Sequence, residues 1–298
     1  MAEINISSME LRSYNPEKLP DRAASFARTG FWQYTRLTTA DLILSTGCFR
    51  VSNLNGMNDL DEAKQHETER NRVFSLCFCN SDTEKIPMWY LYSGLAGDGA
   101  ALGFTPARML SWLRSISSVR GARAGQKKED GDVLTVGRDV ELRIGWVYYQ
   151  KKAEPCNIMY RSKWYVIDDL AAFRQDNYFI KSYPWEYEKE FRLVFINRTG
   201  KEYDYLYVEI PADIRAGIKV RLAPELREAQ FRKFTGLHCI GTSHLPAYSG
   251  LGIRMNLFTR NRVGLLDYLR EEIAHDNPEI DPDSICTLFH NAGKCRKD

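Results

Sequence analysis

The stretch KSYPWEYEKEFRLVFINR (181–198) decides how this chain reads. From Glu188 to Ile196 it alternates as a strand does, and strand side chains two apart share a face. That spacing places Glu186, Glu188, Glu190 and Arg192 on one side, with Tyr187, Phe191 and Leu193 on the other. Three like charges on one face repel unless water, a cation or a ligand relieves them. Spacing leaves two readings open. Either Arg192 neutralises Glu190 in a structural ion pair of small worth, or a carboxylate grips sugar hydroxyls or stabilises a developing cation. A two-carboxylate glycosidase, or a metal-dependent nuclease built on Glu186, Glu188 and Glu190, fits the same residues.

Working outward, DYLYVEI (204–210) predicts a hairpin with this strand around NRTGKE. GIKVRL (217–222) and HCIG (238–241) read as strands on either side of a helix, APELREAQFRKFTG. Upstream, TTADLILSTG (38–47) predicts a helix capped by Thr38 or Thr39 and stopped by a left-handed Gly47. CFRVS (48–52), RVFSLCFC (72–79), GAALGF (99–104) and LRIGWVYYQ (142–150) are strand-like. TPARMLSWLRSI (105–116) offers Thr at the N-cap, Pro at the first helical position, and apolar residues at helical spacing. SKWYVIDDLAAFRQD (162–176) and VGLLDYLREEIAHDN also read as helices, and SSVRGARAGQKKEDGD (117–132) as an exposed basic loop. Short strands and helices without regular alternation imply an α+β fold.

A chain of 298 residues with 44% hydrophobic and 27% charged residues has the makings of a substantial core. A formal net charge of +2 gives no global argument for nucleic acid, so basic stretches have to be judged locally. The beginning, MAEINISSMELRSYNPEKLPDR, lacks an apolar core, which predicts no signal peptide. No run of ~18 apolar residues predicts a membrane span. Seven cysteines fit neither a zinc ladder nor a disulfide framework, so the expected setting is reduced and cytoplasmic. The five histidines show no metal-ligand spacing, and Rossmann, P-loop and GxSxG signatures are absent.

Three other segments bear chemistry. In FWQYTRL (31–37), Tyr34 and Arg36 aim one way if extended: a ring with a hydroxyl beside a permanently charged fork. The bland alternative is a packed Tyr and a surface Arg. RVSNLNGMNDLDEAK (50–64) is dense in turn formers, and capping explains most of Ser52, Asn53, Asn55, Asn58 and Asp59. PMWYLYSGLAGDGAALGF (87–104) sets Met88, Trp89 and Tyr92 on a short helix before glycines, either as core or as a clasp for a flat ring.

Taken in order, YTR (34–36), RVSNLNGMNDLDE (50–62), SLCFCN (75–80), MWYLY (88–92) with GAALGF, and WEYEKEFR (185–192) resemble the motif series of a bacterial domain family without an assigned activity. That series is Tyr-x-Arg, Ser-Asn-Pro with Asn-Asp-Pro-Phe-Asp/Glu, Cys-Phe-Ser, Met-Trp-x-x-Tyr and Trp-x-Tyr-Glu-Lys-Glu-Trp-Arg. The resemblance covers residues 30–225. Leu60 stands where the family has Pro, Cys79 where it has Ser, and Phe191 where it has Trp.

The layout further resembles ADP-ribosyltransferases, including bacterial toxins and anti-phage effectors. This implies a mixed and antiparallel split-sheet core with peripheral helices over 30–225, with a C-terminal extension over 226–298 completing the domain, while the weakly patterned residues 1–30 read as an N-terminal arm. It implies NAD as substrate and no metal. By position Tyr34 and Arg36 would hold NAD, Ser52 would brace the site, and Tyr92 or Trp89 would stack on nicotinamide. Glu190 would be catalytic with Glu188 supporting, and Asn58 and Arg192 would touch substrate. Nucleic acid, RNA or DNA, is the expected acceptor, reached through the basic residues Arg120 and Arg123. A cognate antitoxin or chaperone is a further expected partner. A non-catalytic nucleic-acid or partner-binding module is the alternative from another class.

Overall fold

In the computed structural model, residues 4–6, 19–56, 69–92, 99–151, 153, 155–167, 169–174, 178–223 and 239–242 are described. Three sheets and a few short helices make a mixed α+β structure in which most strand pairs are antiparallel. A seven-stranded sheet runs Cys239–Thr242, Lys219–Leu222, Gly99–Phe104, Phe31–Arg36, Val73–Asn80, Glu190–Asn197 and Val140–Trp146. A four-stranded sheet runs Cys48–Ser52, Tyr205–Glu209, Ser118–Ala122 and Asp132–Thr135. The five-stranded sheet contains Ile4–Ile6, Lys163–Ile167, Asn157–Tyr160, Tyr148–Gln150 and Ile180–Ser182.

Strand Glu190–Asn197 is buried along its whole length, as a central strand covered on both faces must be. Its Phe191, Leu193 and Phe195 enter the core facing the four-stranded sheet, where Phe49, Phe78, Phe104 and Trp112 pack ring on ring. Val194 and Ile196 face the five-stranded sheet with Tyr148, Ile158 and Ile180. Fully burying each such side chain stabilises the fold by about 1.5–3 kcal/mol. Glu190 and Arg192 share the face of Val194 and Ile196 by strand periodicity.

Two helices bear out part of what their residues predict; the first starts at Leu37 behind Arg36 with no side-chain cap, so Thr38 and Thr39 lie inside it rather than capping it. Helix Leu37–Thr46 ends at Gly47, whose φ of 66° only glycine adopts freely. Helix Pro106–Ser115 starts where Thr105 accepts a hydrogen bond from the Arg108 amide, with Pro106 at its first position. At Gly103 a β-carbon would lie 2.5 Å from the Trp32 ring, so this strand position keeps space for the indole.

Several expectations fail. The segment Tyr183–Glu188 is a 3-10 turn rather than strand, closed by Lys189 at a φ of 45°. The strand begins only at Glu190, so the three glutamates do not share a strand face. Pro184 is the local reason, since it favours the turn and cannot donate to a ladder. Glu190–Asn197 and Tyr205–Glu209 do not form a hairpin, because they belong to different sheets. Residues 162–176 hold strand Lys163–Ile167 and then short helix Leu170–Arg174; the run Trp164, Tyr165, Val166, Ile167 carries β propensity that outweighs the helical pattern. LRIGWVYYQ divides at Val147 between two sheets. The basic loop contains strand Ser118–Ala122.

Within residues 1–30, Ile4–Ile6 pairs with Tyr165–Ile167 and Phe26 is buried. Apart from Ala223, which continues beside Gly99, the proposed helix at 223–236 lies outside the described residues, as do that at 263–277, the loop bearing Asn58, and most of 226–298. No helix among the described residues is long and apolar enough to cross a membrane.

Candidate active site

The seven-stranded sheet comes apart at one place. Strand Phe31–Arg36 pairs with Val73–Asn80 only at Phe31↔Asn80 and Trp32↔Cys79. Past these two pairs Phe31–Arg36 follows Gly99–Phe104 alone. Along the edge so released, Phe74 bridges instead to Asn53, at the end of a four-stranded-sheet strand. The result is a fork. A cavity of about 390 Å³ occupies it, within the range of about 300–1000 Å³ usual for ligand sites.

One arm of the fork supplies Trp32, Gln33 and Tyr34, the other Ser75 to Cys79, and the four-stranded sheet supplies Arg50 to Asn53. Met88 and Tyr92 come from helix Ile86–Tyr92, while Lys181, Glu188 and Glu190 close the far side. Tyr34 stands edge-on to Trp89 at 4.8 Å. The Trp89 indole in turn donates to buried Glu84 at 3.0 Å, and Arg221 pairs with Glu84 at 3.3 Å while lying over Trp32. This network sets the aromatic wall. Gln33 Oε1 is buried and has no hydrogen-bond partner among the described residues, a condition that buried polar atoms rarely tolerate without a ligand or water.

The acidic end is a four-membered charge cluster. Arg192, fully buried, holds Glu190 with Nε to Oε1 at 2.6 Å and Nη2 to Oε2 at 3.0 Å. Its remaining arm donates to the Tyr178 carbonyl at 2.9 Å. Lys181 Nζ donates to Glu188 at 2.6 Å and to Glu190 at 3.3 Å. The Tyr92 hydroxyl donates to Glu188 at 2.5 Å. The Glu190 amide donates to the buried Tyr149 hydroxyl at 2.7 Å. Two carboxylates therefore meet two cations, which is what burial of charge demands.

The two carboxylates are nevertheless unlike. Burial, and then the charge of Glu190, raise Glu188 from 4.5 to about 7 against the pull of Lys181 and Tyr92. Burial would raise Glu190 too, but Arg192 and then Lys181 hold it well below the usual carboxylate range. Cys77 and Cys79 lie across the ladder from Arg192 and Glu190. Burial pushes both thiols up, Cys79 to about 12, so they are neutral small packing groups on this face.

Of the residues expected from sequence, Tyr34, Ser52, Tyr92, Glu188 and Glu190 line this one cavity. Trp89 stands behind Tyr34, and Arg192 behind Glu190. Arg36 is exposed at the end of its strand, two residues beyond the last lining position. Arg120, on a strand of the four-stranded sheet, and exposed Arg123 just after it line neither this cavity nor the one described below. Glu186 turns to Lys189, with which it forms an ion pair. Lys181, Arg50 and Gln33 were not singled out. Each was adjacent to a motif, but only the fork shows that Arg50 comes near Tyr34.

Among the described residues no three His, Cys, Asp or Glu side chains converge to hold a metal ion. No protein-family model matches the chain, and no curated protein matches it.

Proposed function

We propose that the forked cavity binds NAD and that the protein transfers ADP-ribose from it to an acceptor, as an ADP-ribosyltransferase of the toxin or anti-phage kind. The observation that carries the reading is the meeting of Tyr34, Ser52, Tyr92, Glu188 and Glu190, from four distant segments, around one cavity. The resemblance in motif order supports the same assignment.

The chemistry follows from the two unlike carboxylates. Cleaving the nicotinamide–ribose bond sends its electron pair to nicotinamide and leaves positive charge on the ribose. Glu190, ionised throughout the working pH range, stabilises that charge as it develops. Glu188, poised near neutrality, accepts the proton from the incoming nucleophile as the new bond to ribose C1 forms. Arg50, exposed on the cavity wall and stacked 4.6 Å over Tyr205, answers the pyrophosphate in the role that sequence order gave to Arg36. Tyr92 and Met88 flank the nicotinamide ring. Nucleic acid is the proposed acceptor.

Purified protein incubated with labelled NAD and RNA, DNA or whole lysate should transfer label, with nuclease and protease treatment identifying the acceptor. Glu190→Gln should lower transfer at least 10²-fold, the scale of losing a preorganised electrostatic partner. Wild-type protein that neither hydrolyses NAD nor transfers label to any of these acceptors ends this reading. Strand cleavage that EDTA abolishes and NAD does not affect would put the activity in the nuclease class.

A further inference from the structure

A second, smaller cavity of about 180 Å³ adjoins the first at Glu190. It collects Arg28, Arg161 and Lys189 around the edge of Trp146. Arg161 lies over the Trp146 ring at 4.4 Å, and Lys189 Nζ donates to Ser162 at 3.2 Å. Facing these three cations is Glu186, already paired with Lys189. The Glu190 carboxylate is taken by Arg192 and Lys181. Arg28 has no ion-pair partner among the described residues, so the pocket holds an excess of positive charge that no described residue lining it answers. Like-charge repulsion of this kind disfavours the empty pocket and favours an anion.

The backbone here is also costly. Three non-glycine residues among those described have positive φ: Arg161 at 48°, Ser162 at 66° and Lys189 at 45°. All three line this cavity. Arg161 and Ser162 are the two loop residues between paired Tyr160 and Lys163, a turn in which Asn-Gly is the favoured sequence. Strain kept at three positions around one pocket points to a function for the side chains held there. Asn80 stiffens the rim, accepting from the Trp146 indole at 3.0 Å and donating to the Thr29 and Gly30 carbonyls beside Arg28.

We infer that this pocket binds a backbone phosphate of a single nucleic-acid strand, whose adjoining nucleotide then reaches Glu188 and Glu190. Arginine forks suit phosphate oxygens. The pocket is small and open to solvent through exposed Arg28 and Arg161, which fits one phosphate of a passing chain. The role of that strand as acceptor rests on the transferase reading; the anion site does not.

The test measures anisotropy of labelled single-stranded RNA and DNA oligonucleotides with full-length protein, without NAD, across a salt series. Wild type should bind, and Arg28→Ala with Arg161→Ala should weaken binding at least tenfold. The same pair should reduce the slope of log affinity against log salt by about 0.7, the share of one phosphate on a single strand. Arg161→Asn with Ser162→Gly should weaken binding while leaving the melting temperature unchanged or raising it, which a misfolded variant cannot do. Arg138→Ala, at an exposed arginine paired with Asp139, should leave binding unchanged. Unaltered affinity in the arginine pair, an equal loss in the Arg138 variant, or wild-type protein that binds inorganic phosphate but no oligonucleotide overturns the proposal. Oligonucleotide binding without label transfer would break the transferase reading and leave this site standing.

Discussion

The segment from Tyr183 to Asn197 divides at Lys189 into a turn and a strand, and the two halves treat the same residue type in opposite ways. Glu188 ends the turn, touching Lys181 and Tyr92, and its carboxyl is pushed up to about 7. Glu190 begins the strand, locked by Nε and Nη2 of Arg192, and is held well below the ordinary range. Both are buried, so burial alone does not separate them. The difference lies in partner geometry: a bidentate guanidinium fixed by strand periodicity outweighs desolvation, whereas a shared lysine and a phenol do not.

The sharpest way to break this contrast is to remove the guanidinium. Arg192→Met leaves Glu190 buried without its main partner and should cost about 3–5 kcal/mol in urea unfolding. Adding Glu190→Gln should return much of that loss, and a double-mutant cycle that shows additivity would refute the coupling. A smaller effect separates the carboxylates by pH. Because folded Glu188 titrates at about 7 against an ordinary 4.5, its protonated form favours the folded state, and stability falls as pH rises between those values. The slope is at most ~1.4 kcal/mol per pH unit. Glu190, being depressed, contributes in the other sense: its stabilisation is complete above the ordinary value and is lost as pH drops below it. Glu188→Gln should therefore flatten stability between pH 4.5 and about 7, measured by chemical denaturation at several pH values; an unchanged slope counts against the assignment. Smallest of all, Tyr92→Phe removes a hydrogen bond to the ionised carboxylate. It should move the acidic limb of the transfer pH profile upward by less than about one unit.

Much of the scaffold was legible because its signals are local. Thr105 with Pro106 marks a helix start, Gly47 marks a stop, and GAALGF is a buried strand end to end. The turn at 183–188 was missed because Glu186, Glu188 and Glu190 keep a two-residue rhythm, and rhythm does not distinguish a strand from a turn that happens to precede one. Pro184 was the available sign. For the site, motif order picked out Tyr34, Ser52, Tyr92 and the two glutamates, whereas Lys181 and Arg161 carry no pattern of their own. Their place depends on three sheets meeting, a long-range fact that no window of sequence contains. Arg161 is a case in point: a two-residue turn is expected from Asn-Gly, so Arg-Ser hid the hairpin that presents it.

The fork in the sheet has a mechanical consequence. Its vertex is two residue pairs, Phe31↔Asn80 and Trp32↔Cys79, and Asn80 ties that vertex to Thr29, Gly30, Trp146 and the Lys189 carbonyl. From there the two arms part from each other for about four residues, roughly 13 Å at ~3.3 Å per residue, each still paired on its outer side to Gly99–Phe104 or to Glu190–Asn197. A rotation of ~5° at the vertex therefore moves the far end of an arm by about 1 Å, the scale at which ~10²-fold in rate is won or lost. The fork acts as a lever with its fulcrum at Asn80, so the spacing between Tyr34 and the carboxylates is governed from a residue outside the cavity it sets.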